Sequence, residues 1–134
     1  LPRDAEGYMG RLRCVQEISA VTAACMMVKT SVFKAVGGFD EELKVAFNDI
    51  DLCMKVRKYG VKIVFTPYAE LYHYESKSRG MEDTPEKQLR FSREVNCFRR
   101  KWERELLKGD PYYNPNLTLN NTDCSLRKQE KNGD

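Results

Sequence analysis

The chain has 134 residues, enough for one domain of ordinary size and too few for two. Its 23 basic and 20 acidic residues leave a net charge of +3, too small a surplus to require nucleic acid or anionic lipid as a partner. At 41% hydrophobic and 32% charged, the composition excludes a disordered or fibrous chain, and no apolar run approaches the ~20 residues of a membrane span.

Residues 1–14 carry charge and glycine without periodicity and read as a leader remnant or loop, with no apolar segment of the signal-peptide kind. Residues 17–29 (EISAVTAACMMVK) are a nearly uninterrupted apolar run, which predicts a strand covered on both faces. Thr30 is placed to cap a short helix that Gly37 and Gly38 stop. Asn48 or Asp49 is placed to cap a second helix, running to Tyr59 and Gly60. The β-branched and aromatic 61–66 segment predicts a strand stopped by Pro67, and 68–74 predicts a second short extended piece.

Residues 75–85 read as a polar loop. Thr84-Pro85 then opens a long helix, with Thr as cap and Pro at the first helical position. Phe91, Val95, Phe98, Trp102 and Leu106 form one apolar stripe along about six turns, ended by Gly109. Residues 112–119 are aromatic and turn-rich, and 120–134 read as a polar flexible tail. The order predicts an α/β fold with a small mixed sheet, flanking helices and a long C-terminal helix. So few strands, one of them apolar on both faces, make an incomplete sheet.

Five cysteines without close spacing argue against a disulfide framework or a Cys-x-x-Cys metal knuckle, and read as free buried thiols in a reducing compartment. Asp49 and Asp51, two residues apart at a helix start, cannot share a helix face. One can face a cleft while the other caps the helix. A helix N-terminus favours an ionised carboxylate, which can take a proton from a hydroxyl or help hold a cation; plain helix capping is the competing role. His73, the single histidine, follows an extended stretch, where it can ligate a metal, donate a hydrogen bond or be structural. Ser76, Lys77, Ser78, Arg79 and Gly80 suit a phosphate-bearing ligand, or form a solvated loop. The cations of the long helix alternate with glutamates, the mark of a solvated amphipathic face and not of a nucleic-acid stripe.

In this order, 21–41 (VTAACMMVKTSVFKAVGGFDE), 48–53 (NDIDLC), 66–80 (TPYAELYHYESKSRG) and 110–117 (DPYYNPNL) resemble the C-terminal half of bacterial family-two glycosyltransferases. That family has the GT-A fold and inverts the anomeric centre. The resemblance implies a partial GT-A (nucleotide-diphospho-sugar transferase) fold. It makes residues 15–119 the acceptor-side part of a transferase domain whose nucleotide-binding half, with its Asp-x-Asp motif, has no counterpart here. The expected function is transfer of a sugar from a nucleotide-diphospho-sugar to the hydroxyl of a glycan or lipid-linked acceptor, in surface polysaccharide synthesis. The family's catalytic base falls on Asp49, with Asn48 departing from the usual glutamate before it. Asp51 falls in a supporting place, and Gly38, Phe39, Asp40 and Glu41 fall on the acceptor side. His73 falls near a divalent cation, Mn or Mg, and Ser76 and Arg79 fall at the diphosphate.

The implied location is the cytoplasm, or the inner face of the membrane. The chain alone is expected to be inactive, to fold without a cation and to self-associate through its uncovered strand. The competing reading from another class is a non-catalytic module that binds a glycan or a protein.

Overall fold

A computed structural model of the chain describes residues 4–74, 84–121 and 123–128. The described residues form a mixed α/β structure. Its elements are a 3-10 turn at Tyr8–Arg13, β1 (Gln16–Glu17), a second 3-10 turn at Ala23–Cys25, α1 (Thr30–Ala35), α2 (Asn48–Lys58), β2 (Val64–Phe65) and α3 (Pro85–Leu107). The small sheet is a single antiparallel pair, with Gln16 opposite Phe65 and Glu17 opposite Val64. It is thus antiparallel, not mixed, among the described residues.

The long strand expected at 17–29 does not form. Beyond β1, only the Ile18 N–H continues the ladder, to the Ile63 carbonyl at 3.0 Å. The chain then turns through Ala23–Cys25, where Thr22 caps with its hydroxyl, and Met27 is 99% exposed. An apolar run supplies the propensity for a strand, but pairing needs a neighbour, and none of the described residues provides one past Ile18. Residues 68–74 likewise form no strand. The leading segment is not wholly loop, since Tyr8–Arg13 is a 3-10 turn. The polar tail is partly tied: Leu117 bridges to Leu126, and the Thr118 and Arg127 N–H groups bond across at 2.8 Å each.

The long helix forms as its caps foretell. The Thr84 hydroxyl accepts from the Lys87 N–H, and Pro85 stands at the first position of a helix of 23 residues. The middle of its apolar stripe, Phe98 and Trp102, packs with Leu43 into the core, while Phe91 and Leu106 at the ends stay partly exposed. Phe47, Met54 and Cys97 close around that cluster. All five cysteines are free. Only Cys53 is buried; Cys14 and Cys25 are exposed, Cys25 on its turn, and do not pack in the core.

Two backbone features aim the region that matters for function. Gly38 sits at φ 64°, where a Cβ would lie 3.1 Å from the Phe33 ring, so both conformation and space call for glycine. Phe47 adopts a left-handed conformation (φ 64°, ψ 4°) immediately before α2. This strained position is held by ring packing, with Phe98 stacked at 5.1 Å and Phe91 tilted at 5.9 Å.

Candidate active site

The start of α2 sends its two aspartates in opposite directions. Asp51 is fully buried, pointing into the seam with α3. Its Oδ1 accepts the Trp102 indole N–H at 2.8 Å and lies 2.8 Å from Lys101 Nζ. The Lys55 ammonium, one turn on, stands 3.0 Å from Oδ2. Asp49 is half-buried at the surface: Oδ2 accepts the Ala23 N–H at 3.1 Å and Oδ1 the Ile50 N–H at 2.8 Å. Neither aspartate nor Asn48 is the N-cap. That place belongs to Phe47, which offers no side-chain cap. The correction has a plain cause: the left-handed turn at Phe47 starts the helix, and α3 claims the carboxylate of Asp51.

The 38–41 turn joins the same network. The Gly38 carbonyl accepts from Lys55 Nζ at 2.9 Å. Asp40 folds its own turn, with Oδ1 accepting the Glu42 N–H at 3.0 Å, and its Oδ2 bonds Lys101. Lys101 therefore stands between two carboxylates. The Lys101 bond and then the Glu42 N–H hold the Asp40 carboxyl below its ordinary value. Burial opposes the charge on Lys101, but Asp40 and Asp51 outweigh it and raise its pKa. Phe39 is half-exposed, edge-on to Phe33 at 5.5 Å, and Glu41 is exposed.

Glu94, also from α3, is buried and accepts the Ala46 N–H at 2.7 Å, pinning the loop just before Phe47. The sequence reading missed Lys101, Trp102 and Glu94 as site supports. Asp51–Lys55 carries an i, i+4 signal that could have been read; the other partners come together only in the fold.

Asp49 bonds the N–H of Ala23, one of the residues lining an open apolar groove of about 980 Å³ that Asp49 itself does not line. Residues 20–29, the inner face of α2 (Leu52, Cys53 and Val56) and residues 61–66 wall it. His73 is exposed beyond β2. Among the described residues no three His, Cys, Asp or Glu side chains group so as to hold a metal ion, so His73 alone does not make a metal site. Ser76 and Arg79 lie outside the described residues. No helix among the described residues is long and apolar enough to cross a membrane.

Comparison with known proteins gives partial matches. The chain is 56% identical over 126 residues to the uncharacterized protein y4gI of Sinorhizobium fredii, across 93% of the chain and 14% of that protein. It is 39% identical over 115 residues to the O-antigen biosynthesis protein RfbC of Myxococcus xanthus, across 86% of the chain and 9% of that protein. It is 36% identical over 62 residues to the N-acetylglucosaminyl-diphospho-decaprenol L-rhamnosyltransferase of Mycobacterium tuberculosis, across 46% of the chain and 20% of that enzyme. The chain thus spans between about a tenth and a fifth of these relatives. No family model and no solved structure matches. Two of these relatives are named for O-antigen biosynthesis and for rhamnosyl transfer, and the chain is similar to a part of each.

Proposed function

We propose that this chain forms the acceptor-side part of an inverting GT-A glycosyltransferase of surface polysaccharide synthesis. It would move a sugar from a nucleotide-diphospho-sugar to the hydroxyl of a glycan or lipid-linked acceptor. The observation that carries the proposal is the divergence of the two aspartates. Asp51 is consumed by Lys101, Trp102 and Lys55, while Asp49 stays half-exposed with lone pairs to spare, bonded to the backbone of a groove-lining residue. The names of the relatives favour a transferase over the binding module.

The chemistry asks for one base behind the attacking oxygen. The acceptor oxygen attacks the anomeric carbon from the face opposite the diphosphate. As that bond forms, the carbon–oxygen bond to the diphosphate breaks and its electron pair leaves with the nucleotide. The hydroxyl proton passes to the Asp49 carboxylate. The 38–41 turn, with Phe39, Asp40 and Glu41, borders the acceptor side. Ser76 and Arg79 contact the departing diphosphate. His73 would help hold a Mn or Mg ion, which would supply positive charge for the departing diphosphate. The substrates place the reaction in the cytoplasm or on the inner membrane face.

The test is Asp49→Asn in the whole polypeptide that carries this segment. Transfer should fall at least about 100-fold, the usual contribution of a general base, with nucleotide-sugar binding by calorimetry unchanged. Undiminished transfer would remove Asp49 from the role.

A further inference from the structure

Lys101 lies outside every segment that carries the family resemblance, yet it joins two of them side chain to side chain, beside Lys55, which links Asp51 to the Gly38 carbonyl. Its ammonium bonds Asp40 of the 38–41 turn on one side and lies 2.8 Å from Asp51 of the α2 start on the other. Asp51 is one residue beyond Ile50, whose N–H bonds the Asp49 carboxylate, so anchoring the first turn of α2 anchors Asp49. About two turns earlier on the same helix, Glu94 grips the Ala46 N–H and fixes the loop between the two segments. With Trp102 bonded to Asp51, α3 holds this region along a continuous stretch. Lys101 keeps 31% of its side chain in solvent, and partly exposed ion pairs add little, so stability alone is a weak reason for a lysine between two carboxylates here.

We infer that Lys101 is a positioning residue, setting the distance and angle between the 38–41 turn and Asp49 so that an acceptor hydroxyl held at the turn meets the base. This rests on the reading of Asp49 given above. The bridge acts on alignment, so its loss should lower kcat while leaving the KM values for donor and acceptor in place.

The experiment measures transfer in the whole transferase, with UDP- and dTDP-linked sugars as donor probes and rates referred to folded protein by circular dichroism. Lys101→Met should lower kcat roughly 10- to 100-fold, Lys101→Arg should recover most of that loss, and Asp40→Asn should lower kcat in the same sense. The Lys101→Met/Asp40→Asn double variant should be no worse than Lys101→Met, because both changes break one bridge. Multiplying losses in the double variant, or a rise confined to acceptor KM, would show Asp40 touching the acceptor independently and overturn the bridge. Variants that lose only thermal stability, at wild-type kcat, would overturn it too. If Lys101→Met does not fold, Asp40→Asn still decides, since it leaves Asp51 paired with Lys101, Lys55 and Trp102: lowered kcat at constant KM supports the bridge and unchanged kcat ends it. Asp49→Asn run alongside separates the two readings, because transfer persisting in that variant removes the base without touching the kcat comparison.

Discussion

Asp40, Asp49 and Asp51 are chemically identical side chains with three different uses, set by their neighbours. Asp51 is fully buried and is matched by an ammonium on either side and an indole N–H. Asp49 keeps partial solvent access and takes only backbone N–H bonds. Asp40 is the outer arm of the Lys101 bridge, and its lowered pKa gives that arm a pH signature. A carboxyl depressed in the folded state adds stability above its unfolded value, ordinarily 3.8, and loses it as pH falls through the folded value. At the other end, the raised Lys101 value keeps the bridge charged until pH climbs past about its ordinary 10.5. Asp40→Asn keeps an oxygen for the Glu42 N–H but removes the charge. Urea midpoints for wild type and variant should therefore differ at pH 7 and converge as pH falls well below 3.8. A gap that persists in acid would mean the Asp40 charge adds nothing.

Among the elements, α3 was legible because every signal agreed: a Thr cap, Pro at the first position, a regular stripe and a closing glycine. Thr84→Ala removes the oxygen that receives the Lys87 N–H and should cost about 1 kcal/mol, read from chemical denaturation. A change within a few tenths would mean the first turn does not need its cap. The start of α2 was misread because its N-cap is a phenylalanine in a left-handed conformation. No propensity scale places Phe there. Its ring packs on Phe98 and Phe91, residues more than forty positions away, and that packing offsets the backbone cost. The two turns after α3 follow a readable rhythm. Asp110-Pro111 and Asn114-Pro115 each accept an N–H two residues on, a pattern of repeated Asx turns. They lay the C-terminal segment back on β1, where Tyr112 and Lys62 bond Glu17.

Taken whole, the molecule has a well-filled side and an open one. Leu43, Phe98 and Trp102 fill the seam between α2 and α3, whereas the 20–29 segment and residues 61–66 wall a wide apolar groove. Met27, Val64, Leu71 and Tyr72 are exposed near two strands of only two residues each, which leave backbone edges unpaired. Apolar surface and open edges together promote association. The isolated 134-residue chain should therefore self-associate, with a light-scattering mass that rises with concentration. A monomer mass at millimolar concentration would show that the groove is benign in water.

The three helices were written in periodicity and glycine stops, which are local, but of the N-caps only Thr84 of α3 was legible: α1 has Lys29 at its N-cap, with Thr30 already inside the helix, and α2 has Phe47. The pairing of Asp49 and Asp51 at a helix start, and their divergence, were legible for the same reason: helical geometry sends positions two apart to different faces. Which aspartate would be buried was not legible. That depended on Lys101 and Trp102 arriving from a helix fifty residues away. The apolar 17–29 run shows the converse. Its composition called for a strand, but a strand is a relation between segments, and the fold supplied a neighbour for only the first few residues. Local order follows from the chain because its causes lie within a few residues. The site follows from the fold because its charges are matched only across long separations.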